Sequence, residues 1–245
     1  MSHQQPELDE ARHRQLLHHI SVPRCSTYLV AAEQDADVAL RLYDWNLAAS
    51  AAAHTVLSIV EIALRNALDR SLRRWNPSQG ATCSSDWTAT PCRLIKSLTR
   101  DGVDLRTARE RSSSAMRGGR IANHDDVVAH LMFGTWRFLL PTSLSTRAHA
   151  AQRAALFDQA FGPASPLPAF PHWEFAPVHL GRDVAELHLL RNRVSHHEPL
   201  LRTNLTGNLS AARRVLGAID PALPGWLHDL EQLTAVIASR PVAPR

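Results

Sequence analysis

The chain has 245 residues, 44% of them hydrophobic, which is enough for a packed core and excludes global disorder. Its net charge of +4 and pI of about 9.5 rest almost wholly on arginine, Lys96 being the sole lysine. Arginine's planar fork suits phosphate, yet an Arg- and Ala-rich chain is equally what a GC-rich genome encodes, so charge alone leaves nucleic-acid binding open.

The polar N-terminus lacks the apolar stretch of a secretory signal, and no apolar stretch reads as reaching the roughly 18 residues of a bilayer span. Together these predict a cytoplasmic protein with no membrane partner. Cys25, Cys83 and Cys92 show no C-x2-C spacing, and the 14 histidines include no H-E-x-x-H pattern. Neither a disulfide framework, nor a metal site, nor any other cofactor is expected.

In chain order, the pattern predicts an amphipathic helix over 7–19 that ends at Val22-Pro23, because the residue before proline is pushed out of the α region. A helix over 33–47 follows, with Leu40, Tyr43 and Leu47 at helical spacing. The strongest helix runs from 50 to 75. Val56, Ile59, Val60, Ala63, Leu64, Ala67, Leu68 and Leu72 form a wide apolar stripe along it.

A Ser/Thr-rich loop leads to a short helix at 91–100, and 101–123 reads as a short helix and then a mobile loop. Asp125 and Asp126 suit a helix cap, and FGTWRFLLP continues to a stop at Pro141. Further helices are predicted over 145–161, 178–197, 204–219 and from 224 or 226 to 239. Trp45, Trp75, Trp136 and Phe138 read as core. Ten glycines and few β-branched runs argue against sheet, so the fold class is all-α. The whole of 1–245 reads as a single helical domain. Its appendages are an N-terminal extension (1–25), a flexible basic insert (100–123) and a frayed tail (240–245).

The run with chemical potential is LRNRVSHHEP, at the end of the helix near 197. Asn192 and His196, four apart, share a face. Arg191 and His196, five apart, differ by roughly 140° around the axis. They can meet at one phosphate only if the helix end is distorted, for which Pro199 just downstream gives a reason, or if a second copy supplies the complement. An imidazole titrates near neutral pH and can move a proton, and a guanidinium can hold a phosphate by two bonds. Such a set supports RNA transesterification, which needs no metal because the 2′-hydroxyl nucleophile lies in the substrate. The same cations would also oppose a helix macrodipole, so the run alone does not decide.

LRNRVSHHEP resembles the signature of the Abi-like (abortive infection) branch of the HEPN superfamily, an R-N-x-x-x-H core followed by His and Pro. LYDWNLAASAAAHTVLSIVEIALRNALDRSL is similar to that family's early helices, with Tyr43, Trp45, Glu61, Arg65 and Asn66 in characteristic places. LMFGTWRFLL resembles its F-G-x-W element. The three elements span roughly residues 38–200.

The resemblance implies a HEPN-type helical bundle. It also implies a metal-independent endoribonuclease acting in phage defence or as the toxin of a toxin–antitoxin pair, with RNA as substrate. A homodimer with a composite site and a possible antitoxin partner belong to the same expectation. On this reading Arg191, Asn192 and His196 are catalytic, and His197, Glu61 and Arg65 support them. Arg109, Arg111, Arg117 and Arg120 are candidates for the RNA backbone, or else belong to a solvated loop. Glu61 and Arg65 also read as an ordinary i, i+4 surface pair, although the apolar residues on both sides favour burial. The alternative for the whole chain is a non-catalytic HEPN module that binds RNA or protein.

Overall fold

A computed structural model describes residue 15 and residues 19–116, 121–142 and 147–241. The chain is all-helical, 69% helix, with no strand among the described residues. Eleven helices are described: α1 (Val22–Ala31), α2 (Ala36–Trp75), α3 (Arg93–Leu98), α4 (Val103–Ala115), α5 (His124–Ala129), α6 (Phe133–Phe138), α7 (Arg147–Leu156), α8 (Pro177–Ser195), α9 (Leu205–Ile219), α10 (Leu223–Leu230) and α11 (Leu233–Ala238). A 3₁₀ turn (Asn76–Gln79) follows α2, and a π-helical turn (Phe157–Phe161) extends α7.

Several boundaries differ from the sequence pattern for identifiable reasons. The helix expected over 7–19 lies almost wholly outside the described residues. Pro23 does not stop a helix; it sits in the first turn of α1, where its missing N–H costs nothing. The helices expected over 33–47 and 50–75 are one 40-residue helix, α2. Ser50 and the alanines after it tolerate helix, and neither Gly nor Pro interrupts them. Asp35 Oδ1 caps its start by accepting the Val38 N–H at 2.9 Å.

The basic segment is more ordered than expected, because α4 runs 13 residues with Leu105, Ala108 and Ser112 buried along one side. Asn123, not Asp125, caps α5, in a capping box closed by Asp126. Trp45, Trp75 and Trp136 are buried, whereas Phe138 is 38% and Leu47 50% exposed. The inward stripe near the start of α2 is Val38, Leu42, Trp45 and Ala49 instead. The stretch Ala36–Gln79 contains an 18-residue window of mean hydropathy 1.7, long and apolar enough to cross a membrane by composition alone, and 44% of that window is buried.

The chain forms two compact units. The first comprises residues 1–55, 192–206 and 231–245, and the second residues 56–191 and 207–230. In the first, Tyr28 meets Tyr43 edge-on at 5.4 Å, and the Trp45 Nε1–H donates to the Val236 carbonyl at 2.7 Å, tying α11 to α2. Buried Asn46 accepts the Leu200 N–H at 2.7 Å, which fixes the chain just beyond α8.

In the second unit, fully buried Trp87 and Trp136 pack edge-to-face at 5.9 Å. Buried Asn76 organises the loop before α3, donating to the Ser84 and Thr90 carbonyls and accepting the Cys92 N–H. Asp183 on α8 accepts two bonds from Arg214 on α9, each 2.7 Å. The sequence also hides a steric requirement at Gly181. A Cβ there would lie 1.5 Å from the Pro141 carbonyl oxygen. Gly181→Ala is therefore expected to destabilise the fold by about 3 kcal/mol, as overpacking against backbone does; a denaturation midpoint equal to wild type would refute it.

Candidate functional site

The LRNRVSHHEP run ends α8 in a defined way. The His196 N–H still reaches the Asn192 carbonyl (2.9 Å), His197 turns into the left-handed region (φ 54°), and the Glu198 N–H returns to the Arg193 carbonyl at 2.8 Å. With the His197 N–H on the Val194 carbonyl, this is a Schellman closure built without glycine. Of the two alternatives, the loosened last turn beside Pro199 is thus absent. His196 keeps helical register, and the reversal falls one residue later. His196 and His197 are both exposed and Asn192 is half-buried. All three belong to the first unit, while Arg191, also half-buried, closes residues 56–191 of the second.

In the first unit the end of α8 borders an open groove of about 650 Å³. Arg193, Arg202 and Arg240 line it, together with the Ser26 and Thr27 side of α1. No carboxylate lines it among the described residues, although Glu198 Oε2 lies 3.4 Å from Arg193 Nη1 beside it. Arg240 is held over the Trp45 ring at 5.1 Å, a cation–π contact that leaves its donors free to reach outward. Pattern reading missed Arg202 and Arg240, which lie in separate segments and share no periodicity with Arg193.

In the second unit Arg191 stands one turn beyond His188 on α8. His188 stacks on Phe133 (5.7 Å between centroids, 20° between planes), and its Nδ1 lies 3.4 Å from Arg137 Nη1. Burial pushes the His188 imidazole below its ordinary pKa, and the Arg137 and Arg191 charges push it further. Glu61 and Arg65 are half-buried along α2.

The basic segment is mixed. Arg109 donates to Thr88 Oγ1 at 3.1 Å, so it braces the loop before α3, whereas Arg111 is exposed. Arg117 and Arg120 lie outside the described residues.

A second polar cluster in this unit was not anticipated. His124 spans two carboxylates, with Nε2 2.8 Å from Asp69 Oδ1 and Nδ1 2.8 Å from Asp86 Oδ1, and the Trp87 Nε1–H also donates to Asp69. Burial alone would lower the His124 pKa, but the bonds to Asp69 and Asp86 outweigh it and hold the pKa above its ordinary value. Burial likewise opposes ionisation of both aspartates, and the same bonds overcome it and keep their pKa values low. Asp69, His124 and Asp125 bring donor atoms within 4.8 Å of one another, a spacing able to hold a metal ion. As arranged, the Arg73 guanidinium bridges Asp69 (3.2 Å) and Asp125 (2.5 Å), so a cation already occupies that role.

No protein-family profile, curated protein or solved structure matches this chain.

Proposed function

We propose that the chain is a metal-independent endoribonuclease of the HEPN type, soluble and cytoplasmic, cutting RNA by attack of the 2′-hydroxyl on the adjacent phosphate. The observation that most supports this reading is the groove of Arg193, Arg202 and Arg240 at the end of α8, the helix end that also carries the exposed His196. Three guanidiniums on an open surface suit a phosphate backbone, to which sequence-independent binding is largely electrostatic. An exposed imidazole on the same helix end can exchange a proton with the 2′-hydroxyl or the leaving 5′-oxygen.

Arg191 holds the scissile phosphate and stabilises the charge that builds on it in the transition state. Asn192, one turn before His196, orients the substrate. His197 closes the helix and presents His196, and Glu61 and Arg65 support Arg191. The helix end is regular, so acid and base are completed by a second copy of the chain across a symmetric interface. An enzyme that cuts cellular RNA in this way suits abortive infection or a toxin restrained by an antitoxin.

Incubating the protein with labelled RNA in excess chelator tests the reading. Fragments ending in 2′,3′-cyclic phosphate are expected. Binding without cleavage would instead favour a non-catalytic module.

A further inference from the structure

We infer that Arg137, His188 and Arg191 form a phosphate-binding site for an RNA strand within the second unit. The inference rests on the ribonuclease reading and deepens it by extending the Arg191 contact to two residues that no motif marks.

The geometry begins with α6, which places Arg137 against α8. Arginine only donates, so at 3.4 Å its Nη1 faces the lone pair of His188 Nδ1, and the proton of the neutral ring resides on Nε2. That Nε2–H is a donor. Gly134 leaves room for the ring, since a Cβ there would lie 3.3 Å from Nε2. Stacking on Phe133 fixes the ring plane. Arg191, three residues on, projects from the same face of α8.

The charge is one-sided. Arg137 and the buried Arg153 both lie over the Phe138 ring, at 5.3 and 5.6 Å. The charges acting on His188 are both guanidiniums, those of Arg137 and Arg191. Arg137 Nε is buried with no hydrogen-bond acceptor. Clustered cations of this kind repel one another, and a bound anion offsets that repulsion while accepting charge-assisted bonds. A phosphodiester oxygen has the right charge and size, and the half-exposed surface admits it.

The test is fluorescence anisotropy with a labelled 12-nucleotide single strand, 2′-O-methylated throughout so that it binds without being cut. Arg137→Gln is expected to weaken binding about tenfold and to lower the salt slope by about 0.7, the value for one phosphate contact on a single strand. Arg137→Lys should keep the slope. His188→Ala, which leaves the charge unchanged, should weaken binding a few-fold and serves if Arg137→Gln does not fold.

Wild-type affinity and slope in folded Arg137→Gln, or wild-type affinity in His188→Ala where Arg137→Gln is unfolded, would overturn the site even if the wild type cleaves RNA. Loss of binding in these variants upholds the site even if the protein never cleaves, in which case only the ribonuclease reading falls. If inorganic phosphate raises the wild-type melting temperature while the strand does not bind, the ligand is a free phosphate and the RNA assignment is overturned.

Discussion

His196→Ala is expected to lower RNA cleavage about 10²–10⁴-fold, the usual contribution of a positioned general acid or base. Arg191→Ala should cost a similar factor by removing charge stabilisation at the phosphate. The residues differ in what else they do. His196 is exposed at the end of α8, so its loss should leave the melting temperature unchanged. Arg191 and Arg137 are the two guanidiniums whose charges act on His188, so loss of Arg191 should also weaken RNA binding.

Mixing the two inactive variants separates a composite site from a self-contained one. If each site takes arginine from one protomer and histidine from the other, a mixed dimer keeps one intact site and one doubly defective site. Random exchange makes about half of the dimers mixed, so about one quarter of wild-type activity should return. No recovery after subunit exchange would exclude a site that takes its arginine from one protomer and its only histidine from the other. Wild-type cleavage by both single variants would remove the site assignment altogether.

What the sequence revealed depends on the range of the interaction. The all-α class and the inward stripe of the second half of α2 follow from local patterning, since Val56, Val60, Leu64, Leu68 and Leu72 recur at helical spacing and all are buried, whereas the pattern reads the unbroken 40-residue helix as two. The end of α8 was legible as an end, but not its form. A non-glycine residue in the left-handed conformation at His197 has no strong local signature. The sites themselves depend on residues far apart in the chain. Arg193 and Arg240 reach one groove from segments that no period connects, and His188 and Arg137 meet across 51 positions. His188 belongs to no motif, and its significance depends on which face Phe133 covers. Gly181 likewise reads as an ordinary helix glycine until the Pro141 carbonyl is seen against it.

His124→Ala is expected to destabilise the second unit by about 3 kcal/mol, because it leaves Asp69 and Asp86 without the cation that both face. At about 2–4 °C per kcal/mol for a chain of this size, the melting temperature should fall by about 6–12 °C. The pH dependence follows from the directions of the shifts. The folded His124 pKa lies above its ordinary 6.5, so its contribution is complete below pH 6.5 and declines as pH rises through the folded value. The folded aspartate pKa values lie below 3.8, so their contributions are complete above that pH and are lost on acidification. The difference in stability between wild type and His124→Ala should therefore be greatest between about pH 4 and 6.5 and shrink on either side. Melting curves across pH 3–9 measure it. A difference that keeps growing above pH 7 would mean that His124 is neutral in the fold and that the two carboxylates are satisfied by Arg73 and Trp87 alone. Asp69→Asn supplies the complementary evidence, since it removes a charge from the centre of the cluster and should flatten the alkaline decline without removing the imidazole.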